Sequence, residues 1–121
     1  MDQPFKTAAL LHEKGVLFAF SETGAWRQRN LPFQAGQAVG FGLPKEAAVS
    51  ALTLNTATIL QIEKTCGSLE TGKDATLFIS EGDALDMRSS KVTAAFIQGR
   101  EINLDNKHKQ LNRRFEEKYR Q

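Results

Sequence analysis

The sequence predicts an α/β chain: a helix–strand–helix half, a β-rich half after it, and a closing amphipathic helix. Three observations predict this. The run "VLFAF", residues 16–20, is apolar at every position rather than alternating, which suits a strand covered on both faces as in a parallel sheet. Near Gln61–Thr65 the pattern changes from helical segments to short apolar runs bounded by turn residues. In the tail, Leu111, Phe115 and Tyr119 recur at helical spacing.

Taken in order, "PFKTAALLHEKG" reads as a helix with Pro4 in its first turn and Gly15 as its stop. "VLFAF" follows as the strand, and "SETGAWRQRN" is a polar turn. In "LPFQAGQAVGFG", Phe33, Ala38 and Phe41 share a helical face. Pro44 restarts a helix in "PKEAAVSALTL", and "NTATIL" adds a short turn. The β-rich half offers "SL", "ATLFIS" and "VTAAFIQGREI", with Gln98-Gly99-Arg100 as a hairpin turn. The entry to "ATLFIS" is "GSLETGKD". Its Gly72 is expected at positive φ, with Lys73 and Asp74 keeping the approach solvated. There is no internal repeat or low-complexity segment.

Composition sets the class. A chain of 121 residues with 40% hydrophobic content is the size of one soluble globular domain with a modest core. The single cysteine, Cys66, rules out an intramolecular disulfide. No apolar run approaches the roughly 18 residues of a membrane span, so no membrane partner is expected. The start, "MDQPFKTAALL", lacks the basic and apolar regions of a signal peptide, and the compartment is left unassigned. Residues 105–121 carry six Lys and Arg against three Asp and Glu, a net +3, which leaves −1 for residues 1–104 out of the chain's +2. That basic tail offers only Phe115 and Tyr119 as stacking groups, on a stripe suited to packing, so no nucleic-acid partner is expected.

Candidate chemistry is sparse. His12 on the first helix and His108 in the tail have no His-x-His pairing or neighbouring ligands, and read as surface or packing histidines. Cys66 lies beside Lys64, Thr65 and Gly67 with no nearby histidine, the setting of an inert thiol rather than a nucleophile. No serine sits in a Gly-x-Ser-x-Gly elbow, and neither "GFG" nor "GSLETG" has the spacing of a phosphate loop.

Three stretches together, "ALTLNTATIL", "GSLETGKDATLFI" and "KVTAAFIQGREI", resemble the C-terminal end of the amidohydrolase superfamily, closest to imidazolonepropionase-like members. The resemblance covers roughly residues 8 to 104. It implies a metal-dependent (β/α)8 barrel followed by strands returning to a small β-sandwich. A complete barrel takes on the order of 250 residues, so the chain is expected to hold a fragment. Residues 1–62 would be the last βα unit and closing helices, 63–104 the C-terminal strands of the sandwich, and 105–121 a basic amphipathic helical tail.

The same resemblance implies hydrolysis of amide or cyclic-amide C–N bonds, with a divalent metal such as zinc or iron in the parent. The family's last barrel strand ends in Gly-Thr-Asp, whose Asp binds metal and accepts a proton. Laid on "GVLFAFSET", this puts Ser21 at Gly, Glu22 at Thr and Thr23 at Asp. Thr23 has no carboxylate to fill that role. Glu22 is one position off, and strand alternation points it the other way unless a turn re-aims it. Thr76 stands where the family often has Asp at the entry to the strand. No catalytic, cofactor or metal residue is therefore assigned with this chain alone. The expected partner is the remainder of a parent chain or a second copy, giving a homo-oligomer. The alternative is a non-catalytic subunit or interaction module built on the same fold.

Overall fold

The computed structural model describes residues 3–120. Met1, Asp2 and Gln121, at the outer ends of the first and last expected segments, lie outside it. Helix α1 spans Gln3–Glu13, with Pro4 in its first turn where no intrahelical donor is needed. Gly15, at φ 66°, ends it. Its N–H donates to the His12 carbonyl and that of Val16 to the Leu11 carbonyl, both at 3.0 Å, the paired bonds of a left-handed helix stop.

Val16–Phe20 then runs on with no strand ladder. The expected strand is not formed, because ladder bonds need neighbouring strands and none lies beside the segment among the described residues. What holds it is packing on one side. Phe18 and Phe20 meet edge to face with centroids 5.8 Å apart and lie against the core, while the Phe18 carbonyl accepts from Asn55 Nδ2 at 3.2 Å.

The expected turn "SETGAWRQRN" contains a one-turn helix, α2, at Ala25–Gln28. Helices α3 (Leu31–Gly40), α4 (Lys45–Leu52) and α5 (Leu54–Ile59) follow, with Pro44 immediately before α4 as its sequence indicated. The core is built from Ala9, Ala35, Ala38, Leu43, Ala48 and Leu85. Four of these are alanines, whose small side chains let α1, α3 and α4 pack closely. Leu85 comes from a distant loop. Its carbonyl oxygen lies so near Gly36 that a Cβ added there would sit 2.1 Å from it, so the close approach requires glycine.

Strands β1 (Leu77–Ser80), β2 (Val92–Ile97) and β3 (Arg100–Glu101) form an antiparallel sheet in that order. β1 and β2 pair Leu77 with Phe96 and Ile79 with Ala94, with an irregularity between Ile79 and Ser80. The "SL" run joins no ladder. The β2–β3 hairpin turns on two residues, Gln98 at φ 50° and Gly99 at φ 77°, with Arg100 already in β3 opposite Ile97. Thr76 Oγ1 accepts the Gln98 N–H at 3.1 Å, so the hydroxyl supplies an acceptor at the strand entry. The final helix, α6 (Lys107–Tyr119), is capped by Asn106, whose side chain accepts the Lys109 N–H at 3.0 Å.

Gly72 sits at φ 95°, as expected, in a turn closed by the Lys73 N–H to the Glu70 carbonyl at 3.2 Å. Lys73 does not keep the approach solvated. Its side chain is only 14% exposed, and its ammonium turns back to Ser68 Oγ and to Glu70 Oε1 at 3.4 Å. A Cβ at Gly72 would meet nothing within 4 Å, so only the backbone resists a side chain there. Gly72→Val is expected to destabilise the fold by roughly 1–2 kcal/mol, read from the urea midpoint; an unchanged midpoint would show that the turn relaxes.

Candidate functional site

The end of the Val16–Phe20 segment is where the family resemblance would place chemistry. There the chain turns through Ser21, Glu22 and Thr23 into α2. Thr23 is exposed and presents a neutral hydroxyl. The Glu22 side chain is 18% exposed, and both its oxygens are engaged. Oε1 accepts the Thr23 N–H at 2.9 Å, and Oε2 accepts from Gln34 Nε2, on α3, at 2.8 Å. Arg27 Nη1 stands 4.0 Å from Oε1. These partners, the Gln34 amide first and the Thr23 N–H next, hold the Glu22 carboxyl below its ordinary range. A carboxylate so held is a weak base.

The other residues singled out in the sequence do not join this site. His12 is exposed on α1 and His108 exposed on α6. Cys66 is half-buried, with its sulfur 3.6 Å from the Ile62 carbonyl oxygen. Among the described residues, no three His, Cys, Asp or Glu side chains converge to hold an ion. With a hydroxyl at Thr23 and both oxygens of Glu22 bonded, the donor set at the segment end does not fit the divalent metal that the family resemblance implies.

Two polar clusters had no sequence signature. Ser68 Oγ donates to Glu70 Oε1 at 2.6 Å while accepting from Lys73. Lys73 also lies 3.4 Å from Glu70 Oε1, so the three side chains bond to one another across the turn. The second flanks a groove of about 400 Å³ bounded by Phe33, Val39, Lys45, Asp83 and Met87. Lys45 Nζ lies 2.7 Å from Asp83 Oδ2, and Asp83 Oδ1 accepts the Leu85 N–H at 3.0 Å. The bond to Lys45 and that backbone bond hold the Asp83 carboxyl below its ordinary value of 3.8.

A group whose folded-state value is depressed contributes stability above its unfolded value and loses it as pH falls through the folded one. Acidification from about pH 5 to about pH 3 is therefore expected to lower the melting temperature of the natural sequence more than that of Asp83→Asn. Equal losses in the two proteins would remove the Lys45–Asp83 pair from the acid response.

The architecture and the segment end now stand beside known proteins. The family model described as the amidohydrolase family matches residues 5–102. The chain is also similar to the crystal structure of an amidohydrolase from Thermotoga maritima MSB8, with a TM-score of 0.75 and 35% sequence identity. That match covers 82% of this chain and 26% of the other. No curated protein matches the chain. The chain thus spans about a quarter of the length of the solved amidohydrolase it matches. Helix α6 lies beyond the matched residues. With the match running from α1 through β3, the chain belongs to the amidohydrolase family.

Proposed function

We propose that this chain is the C-terminal part of a metal-dependent amidohydrolase acting on amide or cyclic-amide C–N bonds, related most nearly to imidazolonepropionase-like members, and that it does not catalyse alone. On this reading Val16–Phe20 is the last strand of a barrel, residues 31–60 are its closing helices, and the sheet belongs to a β-sandwich. The observation that carries the reading is Val16–Phe20 itself: an apolar segment packed on helices on one side, without a ladder, in a chain that matches 26% of a solved amidohydrolase. The partner is the remainder of an amidohydrolase chain or a second copy of this one.

The test is elemental analysis after dialysis, together with assays on cyclic amides, including imidazolones. Neither stoichiometric metal nor turnover is expected from the chain alone. Zinc or iron near one equivalent, with turnover, would overturn the statement that it is inactive by itself. Turnover that appears only when the missing barrel is supplied as a second polypeptide would support it.

A further inference from the structure

We propose that Glu22 is a positioning residue, a clasp that ties the end of the Val16–Phe20 segment to α3, so that this segment end holds helices together and contributes no ligand to a metal. The geometry is specific. One carboxylate oxygen takes the backbone N–H of the next residue, Thr23, at 2.9 Å and fixes the turn. The other takes the Gln34 amide at 2.8 Å, twelve residues away. Hydrogen bonds to an ionised acceptor are stronger than neutral ones, and this carboxylate makes two of them while largely shielded from water.

The partner position explains what the clasp achieves. Gln34 directly precedes Ala35, which is fully buried in the core where α1, α3 and α4 meet. Phe18 and Phe20, just upstream of Glu22, lie on that same core. The carboxylate therefore closes a ring, from the core through the segment end to α3 and back. The intervening residues, with α2 and an exposed Trp26, are held outside that ring. Arg27 adds little, at 4.0 Å with its own side chain 74% exposed. Ligating an ion would cost Glu22 at least one of these bonds, while its neighbour Thr23 offers only a hydroxyl.

The inference uses the reading of Val16–Phe20 as a barrel strand only in saying which end would otherwise face chemistry. Its test is independent of turnover. Melting temperatures of Glu22→Gln, Gln34→Glu and the double swap are compared in the full chain. Gln34→Glu places two carboxylates opposite each other and is expected to melt several degrees lower, whereas Glu22→Gln keeps a neutral amide–amide bond and is expected to melt only slightly lower. The swap restores an amide–carboxylate bond and is expected to recover most of the loss. Exchange of the Thr23 amide hydrogen, followed in Glu22→Ala, which removes its acceptor, is expected to quicken about tenfold.

Additive losses without recovery in the swap, or unchanged Thr23 exchange, would overturn the clasp. Zinc chloride titrated into the wild-type chain gives the third arm: one equivalent bound by the wild type and lost in Glu22→Gln would show a ligand instead. Zinc binding that survives Glu22→Gln would count against the inactive-fragment reading and leave the clasp intact.

Discussion

Replacing Gly67 with Val is expected to cost about 3–5 kcal/mol, a large share of the 5–15 kcal/mol that holds a typical domain together. Two effects add. Gly67 sits at φ 97°, where a β-branched residue is strained. A Cβ there would also stand 2.6 Å from the Ala57 Cβ, 3.2 Å from the Leu54 Cα and 3.3 Å from the Thr53 carbonyl oxygen. The chain crosses α5 this closely as it leaves the helices for the sheet, and backbone atoms cannot move aside as a flexible side chain would. Gly72→Val is the control, with nearly the same φ, 95°, and open space around it. The difference between the two urea midpoints isolates packing from backbone strain. Equal losses would show that the α5 crossing relaxes around the added side chain.

That pair also shows what the sequence could tell. A glycine's need for positive φ is written locally, in the turn residues around it, and Gly72 was legible for that reason, as were Gly15 as a helix stop and Gly99 in a hairpin turn. Pro44 marked the start of α4 by the same local logic. Gly67 looks equally local in the sequence, but its neighbours Thr53, Leu54 and Ala57 are set by how α5 packs. The Leu85 approach to Gly36 and the Lys45–Asp83 pair are likewise products of tertiary packing, with no spacing rule to announce them.

The candidate site divides the same way. That Thr23 lacks a carboxylate is a statement about residue type, and the sequence carries it in full. What Glu22 does is a statement about Gln34, twelve positions on, whose amide had no motif to mark it. Val16–Phe20 is the converse case. Its composition describes a strand among strands, and the structure shows the same five residues without them, because a ladder is a property of a pair of segments.

Self-association of the isolated chain is the other large effect expected. Val16 and Leu17 are about half exposed at 48% and 53%, on a segment with no strand beside it. On the sheet, Phe78 and Ile79 are exposed at 54% and 53%, although they point to opposite faces. Full burial of each such side chain is worth about 1.5–3 kcal/mol, so even half of that from four residues approaches the stability of a small domain. An alternative cover would be the tail, if Leu111, Phe115 and Tyr119 lay back over the sheet. Phe115 and Tyr119 are instead 54% and 76% exposed on α6, so their stripe adds to the apolar surface left open. A second copy can pair the unladdered segments and bury these faces together, closing edges that a lone chain leaves bare. Light scattering over a dilution series reads the outcome directly: a mass above 13.4 kDa that falls on dilution is expected. A mass that stays at 13.4 kDa at high concentration, with a sharp thermal transition, would mean that the chain tolerates these faces in water.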